Sequence, residues 1–340
     1  MKQTKILHGI SPNNIPKNVI DSAEPIVLKQ LTGDWPVVQA GRISNQASIE
    51  YLKSFYNGNS TIVCKIPAQN QGRMFYNENC TELDYESFKG RIDETLDAIL
   101  DGAHKINNPA YYIASNIIDT HLPGFNEKNN ITIPRDKHID AMEVRASIWI
   151  GGGTTATCHF DALDNIACCV AGKRRFTIFP PDQISNLYPG PLEPTPGGQV
   201  ISLVDFKNPD FQKFPRFKDA LLTAQVADLE PGDALYLPSM WWHHVEGLEA
   251  YNVLVNYWWD DGPSFLTSGV NALYLAMLGI RDKSAHEREG WKHIFDHYIF
   301  DGSEKSNSFI PTEARGFLQT LDGVSAKKLR ALLLNKLNRQ

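Results

Sequence analysis

The chain is short of the features that would send it to a membrane, a nucleic acid or an oxidising compartment. No apolar run approaches the ~20 residues that cross a bilayer. The start MKQTKILHGISPNNIPK is polar and broken by prolines, so it has no signal-peptide core. Cysteine is scarce: five in 340 residues, at 64, 80, 158, 168 and 169, with no Cys-x-x-Cys pair. An odd number, three of them in apolar strand-like sequence, fits buried free thiols in a reducing compartment better than a disulfide framework. Positive charge is not in excess, with 33 Lys and Arg against 39 Asp and Glu and a net charge of −6, so nothing draws the whole chain to nucleic acid or anionic lipid. Internal repeats and low-complexity segments are also missing. These absences imply a cytoplasmic protein without membrane or nucleic-acid partners. A hydrophobic share of 42% and a charged share of 21% are enough to bury a full core.

Residues 1–24 read as an irregular arm interrupted by Pro12 and Pro16. Short strands are expected at 24–28, 61–66 and 110–114. A helix is expected at 48–56, where Ile49, Leu52 and Phe55 keep helical spacing, and another at 84–100, with Phe88, Ile92, Leu96 and Ile99 on one face. From about 145 to 263 short strands separated by turns dominate, as in an antiparallel sandwich or barrel. They are interrupted by a proline-rich stretch at 180–225 that is long for a structureless loop and therefore reads as functional or covering. From 264 the pattern becomes helical. Leu266, Val270, Leu273 and Met277 form an apolar seam, and further helices are expected at 286–300, at 312–321 with Thr312 as cap, and at 325–337. Two domains follow: 1–263, with its core at about 110–263, and a helical segment at 264–340.

The chemistry gathers in the stretch 147–179, around His159-Phe160-Asp161. On a strand, His159 and Asp161 share a face. A third ligand is available in Trp241-Trp242-His243-His244, after the turn Pro231-Gly232-Asp233 and the strand that follows it. His243 and His244 point opposite ways, so only one of them can join, and spacing does not choose. Two histidines and one carboxylate occupy one face of an octahedral metal and leave three positions open, as in non-haem Fe(II) oxygenases. After the turn Ala171-Gly172, Arg174, Phe176 and Ile178 share one face of a strand, while Lys173, Arg175 and Thr177 share the other. Arg174 is then the cation on the apolar side, where a charge needs a partner.

These blocks, HFDALDN, AGKRRFTIFPPDQISNLYPGPL, FKNPDFQKFP, EPGDALYLPSMWWHHV and NVLVNYWW, resemble the JmjC/cupin-like Fe(II)- and 2-oxoglutarate-dependent oxygenases. Within that family they are similar to the branch of the hypoxia-inducible-factor asparaginyl hydroxylase and its bacterial cupin-like relatives. The resemblance implies a mainly β fold, a double-stranded β-helix (jelly roll) with N-terminal α/β elements and a C-terminal helical segment that dimerises. It implies His159, Asp161 and His243 as iron ligands and catalytic residues. It places Tyr112, Asn165, Arg174, Asn256 and Trp258 around the 2-oxoglutarate. Arg174 stands where the hydroxylase has lysine, and Ala156 where the family has threonine, although Thr154, Thr155 and Thr157 are adjacent. The segment 195–202, which faces substrate in the hydroxylase, does not match.

The expectation is a 2-oxoglutarate-dependent dioxygenase, a homodimer using Fe(II), 2-oxoglutarate and dioxygen. It would hydroxylate a C–H bond of a protein or peptide side chain or of a small molecule and release succinate and carbon dioxide. The alternatives are a non-catalytic cupin-fold binding protein and a zinc or manganese cupin isomerase.

Overall fold

In a computed structural model of the chain, all residues are described except 104, 106, 139, 301–306 and 340. They divide into two compact units, 1–136 with 143–260, and 137–142 with 261–340.

The first unit is built on eight strands: β1 (Arg145–Gly151), β2 (Thr155–Phe160), β3 (Asp164–Ala171), β4 (Arg174–Phe179), β5 (Gln225–Leu229), β6 (Ala234–Leu237), β7 (Trp242–Gly247) and β8 (Asn252–Trp259). Successive strands alternate between two sheets, except that β4 and β5, on either side of the 180–225 stretch, lie side by side in one. One runs β6-β3-β8-β1 and is extended at both ends to nine strands; the other runs β5-β4-β7-β2 and is extended to six. All pairs among the eight are antiparallel. Two facing antiparallel sheets filled by successive strands in turn form the jelly roll, or double-stranded β-helix.

The larger sheet is buried on both faces, which is why its strands read as nearly unbroken apolar sequence. Ile148, Ile150, Ile166, Cys168, Val170, Val253, Val255 and Tyr257 point outward into the main core. Helices at Pro36–Ile43, Asn45–Lys53 and Ile92–Gly102 supply the other side of that core through Val37, Val38, Ile49, Leu52, Ile92 and Leu96. Pro36 opens the first of these helices, where a missing N–H costs nothing. The Ser44 hydroxyl accepts from Ala47 N (3.0 Å) and caps the second. The alternate residues of the same strands face inward and line the space between the sheets.

Two local expectations give way to tertiary pairing. The apolar spacing across 84–100 does not make one helix. Glu86–Gly90 is a strand on Thr61–Ile66, and the helix begins at Ile92. The break lies at Gly90, where a Cβ would come within 2.8 Å of Val63 Cγ2; Phe88 is left half exposed. The N-terminal arm is not irregular throughout, since Lys2–Gln3 and Lys5–Leu7 add parallel edge strands to the two sheets. Such pairing is non-local and leaves no periodic signature. The stretch 180–225 folds into a packed cover with its own apolar cluster (Leu187, Val204, Phe214, Phe217, Ala220) and a helix at Phe217–Thr223.

In the second unit the helices Gly269–Ala276, Ala285–Phe295 and Gly323–Leu337 appear near the expected places. The helix expected at 312–321 is instead two 3-10 turns, Thr312–Ala314 and Gly316–Leu318, and Thr312 caps nothing. Gly316, at φ +52°, takes the left-handed conformation that ends a helix.

Candidate metal centre

β2 and β7 lie side by side with His159 directly opposite His243. Their imidazole centroids are 4.4 Å apart, and Asp161, one residue past the end of β2, brings Oδ2 to 3.6 Å from His243 Nε2. One donor atom from each of the three lies within 4.8 Å of the others, and no other such cluster of three metal-binding side chains is present among the described residues. A β-bulge supports this geometry. Between the pairs His243–His159 and Val245–Ala156, β2 carries one residue more than β7. The extra residue shifts the phase of β2, so Ala156 and His159, three apart, both face the cavity.

The histidines are oriented by the backbone. His159 Nδ1 sits 2.8 Å from the Thr157 carbonyl, and His243 Nδ1 sits 3.0 Å from the Trp241 carbonyl. A carbonyl only accepts, so each Nδ1 carries the proton and donates it, and each Nε2 keeps its lone pair for a metal. Burial, followed by the nearby His159, pushes the His243 pKa down to about 4, so this imidazole is neutral at pH 7, as a ligand must be. His244 takes the opposite direction. It stacks on Phe206 with centroids 4.4 Å apart and planes 23° from parallel, away from Asp161. The choice that spacing left open is thereby made by geometry in favour of His243.

The three side chains line a cavity of about 400 Å³ between the sheets, within the ordinary range for small-molecule sites, roughly 300–1,000 Å³. Tyr112, Asn165, Arg174, Asn256 and Trp258, the other residues singled out in the sequence, line it too. Arg174 is 3% exposed, with Nε and Nη2 buried and unpartnered. Lys173 and Arg175, on the other face, pair with Glu230 and Asp228 at the surface. Burial raises the Tyr112 phenol to a pKa of about 12, with the Arg174 charge acting in the opposite direction, so the phenol keeps its proton to donate. Asn256 Nδ2 donates to Asn165 Oδ1 (3.3 Å).

Two residues that sequence reasoning missed complete the wall. Trp149 Nε1 donates to Asn256 Oδ1 (2.6 Å) and so fixes which way that amide faces. Arg145 holds its guanidinium carbon 5.0 Å from the centre of the Trp258 ring. The alternation of Ile148 and Ile150 with Trp149 was the available signal, since it puts Trp149 on the inner face of β1. Of the threonines beside Ala156, Thr157 gives its hydroxyl proton to the Met74 carbonyl (2.8 Å), while Ala156 itself faces the cavity. The cover over 180–225 closes one side, with Pro196, Gly197, Gln199 and Ile201 reaching the cavity.

Residues 12–265 match the family model of the cupin-like domain. The chain belongs to the cupin-like domain family. Among the proteins it resembles, HSPB1-associated protein 1 of Rattus norvegicus is 36% identical over 115 residues, 33% of this chain and 23% of that protein. Lysine-specific demethylase JMJ31 of Arabidopsis thaliana is 33% identical over 184 residues, 52% of this chain and 33% of that protein. JmjC domain-containing protein D of Dictyostelium discoideum is 26% identical over 258 residues, 70% of this chain and 52% of that protein. The chain thus spans from about a quarter to about half of the length of these relatives.

Proposed function

We propose that the protein is an Fe(II)- and 2-oxoglutarate-dependent oxygenase that hydroxylates a C–H bond of a protein or peptide side chain or of a small molecule, releasing succinate and carbon dioxide. One observation carries the reading: a two-histidine, one-aspartate donor set and a buried, unpartnered arginine line the same cavity. The donor chemistry fits Fe(II), which takes imidazole nitrogens and a carboxylate on one face and keeps positions open for co-substrates. The buried Arg174 nitrogens fit the far carboxylate of a 2-oxo diacid, because a guanidinium offers a planar fork to a carboxylate.

His159, Asp161 and His243 would hold the metal. Arg174 and the Tyr112 hydroxyl would hold the distal carboxylate, with Asn165, Asn256 and Trp258 beside it. When bound, the metal supplies the activation of dioxygen that no side chain can provide. The protein positions and shields. The Thr157 and Trp241 carbonyls lock the imidazoles, Trp149 locks Asn256, and the 180–225 cover keeps water from one side of the cavity. Titrating the metal-free protein anaerobically with Fe(II) and 2-oxoglutarate should give a bound visible chromophore, and admitting air should yield succinate. The His159→Ala variant should give neither. A wild-type protein with no chromophore and no succinate across candidate substrates would sink the reading.

The reading extends to a cytoplasmic homodimer. All five cysteines are free, as a reducing compartment would leave them. The second unit leaves Trp291, Ile294, Tyr298, Leu333 and Leu337 exposed on its helices, an apolar surface that a second copy would cover.

A further inference from the structure

The proposed site leaves one cation unused. Arg145, at the start of β1, lines the cavity from an exposed position, and its guanidinium lies over the face of Trp258, 5.0 Å away. Among the described residues its side chain makes no ion pair and no hydrogen bond. Beneath it the Trp258 side chain is 8% exposed, and its Nε1–H is buried without an acceptor. A charged donor and an orphaned buried donor therefore stand together at the cavity, with no acceptor for them among the described residues.

No acid answers them. Among the described residues Asp161 is the one carboxylate lining the cavity, and it belongs to the metal set. With a divalent metal, Asp161, a dianionic oxo acid and Arg174 in place, the charges cancel. Arg145 then remains as a net positive charge facing the substrate. A protonated lysine or a methylated ammonium would meet this charge without a counter-ion. It would also lack the aromatic face on which such cations settle, because Arg145 already covers Trp258. Trp149 packs its ring at 88° to Trp258 and has committed its own N–H to Asn256.

We infer that the substrate carries a carboxylate, received by the Arg145 guanidinium and the Trp258 Nε1–H, and that the cavity rejects cationic side chains. The relative from Arabidopsis thaliana is named a lysine-specific demethylase; the charge pattern here opposes a lysine substrate. The inference rests on the oxygenase reading for the reaction, while the recognition is a matter of binding and is tested as binding.

The full chain, loaded with Mn(II) and N-oxalylglycine as redox-silent stand-ins, is titrated calorimetrically. The probes are blocked pentapeptides Gly-Gly-X-Gly-Gly with X as Asp, Glu, Asn, Lys or trimethyl-Lys, and free N-acetylaspartate. An Asp or Glu probe should bind at least tenfold more tightly than the Asn probe, and the two cationic probes least. Tighter binding of the peptide assigns the carboxylate to a polypeptide; tighter binding of N-acetylaspartate assigns it to a small acid. Arg145→Ala should lose the acidic preference, Arg145→Glu should reverse it, and Trp258→Phe, which keeps the ring and removes the N–H, should weaken the acidic probe severalfold. Arg145 is exposed, so its variants should fold. Tightest binding of a cationic probe, an acidic preference that survives Arg145→Ala, or no binding of any acidic probe at millimolar concentration overturns the inference. A parallel titration of 2-oxoglutarate into the Fe(II) protein separates the two ideas. If it binds while the acidic probes fail, the inference falls alone; if the acidic probes bind and it does not, the oxygenase reading falls alone.

Discussion

Replacing Arg174 with methionine should nearly abolish 2-oxoglutarate binding while leaving the ligand-free protein at least as stable as the parent. The guanidinium is 3% exposed, and its Nε and Nη2 have no partner, so in the absence of ligand a charge sits in a low-dielectric wall without compensation. Holding an ion there costs several kcal/mol. Methionine keeps an apolar stem beside Phe176 and removes that cost. With ligand the balance reverses. Removing one member of a buried charge pair costs about 3–5 kcal/mol, and each 1.4 kcal/mol is a factor of ten, so Kd should rise roughly 100- to 4,000-fold. Arg174→Lys keeps the charge but loses the planar fork and should fall between the two.

Calorimetric titration of 2-oxoglutarate into Mn(II)-loaded protein gives the affinity, and urea unfolding of the ligand-free proteins gives the stability. Ligand at a hundred times its Kd should add about 2.7 kcal/mol to the parent and nothing measurable to Arg174→Met. Affinity within threefold of the parent would refute the argument. So would a ligand-free variant several kcal/mol less stable, since Arg174 would then be a structural residue with a partner and not the carboxylate anchor.

Three further outcomes are expected. Asp233, fully buried before β6, accepts from Lys29 Nζ (2.5 Å), Gln30 N (3.0 Å) and Glu230 N (2.9 Å); Asp233→Ala should cost about 3–5 kcal/mol in urea unfolding without changing 2-oxoglutarate affinity in the folded protein. The metal-free protein should lose stability as pH falls from 6.5 toward 4. Burial holds the His243 pKa at about 4 and the His244 pKa at about 3, so below pH 6.5 the unfolded chain takes up protons that the folded chain refuses. The limiting slope is about 1.4 kcal/mol per pH unit per histidine; urea unfolding at pH 5 and 7 should show it, and His244→Gln should reduce it. Light scattering on the eluting full chain should report a dimer. Ile294→Asp combined with Leu333→Asp should convert it to a monomer, whereas a monomeric parent would remove the case for self-association.

What could be read from sequence was whatever depends on local periodicity. The two-residue repeat put His159 beside Asp161 and put Arg174, Phe176 and Ile178 together, and the sheets keep both groupings because a strand fixes its own alternation. The same local reasoning failed at 84–90. Phe88 and Ile92 have helical spacing, but pairing with Thr61–Ile66 recovers a ladder of backbone hydrogen bonds, and Gly90 allows the close approach to Val63. It failed again at the N-terminal edge strands, whose partners lie some two hundred residues away in β5 or, about twenty residues on, in a parallel strand at Ile26–Leu28.

By itself, then, the sequence determined which residue types were on offer and which neighbours share a face: a histidine and an aspartate on one strand end, an arginine on an apolar face, two adjacent histidines of which one must turn away. Spacing alone did not choose between the two histidines; the family resemblance pointed to His243, and the tertiary structure brings that one to His159 and Asp161. The sheet order sets β7 beside β2, and the extra residue in β2 brings His159 into phase with His243 while leaving His244 against Phe206. It also decided the roles of Trp149 and Arg145, which carry no motif and gain meaning only from the Asn256 amide and the Trp258 ring beside them. The reason is physical. Alternation is a property of one strand, whereas register and the filling of a cavity are properties of pairs of strands brought together by burial.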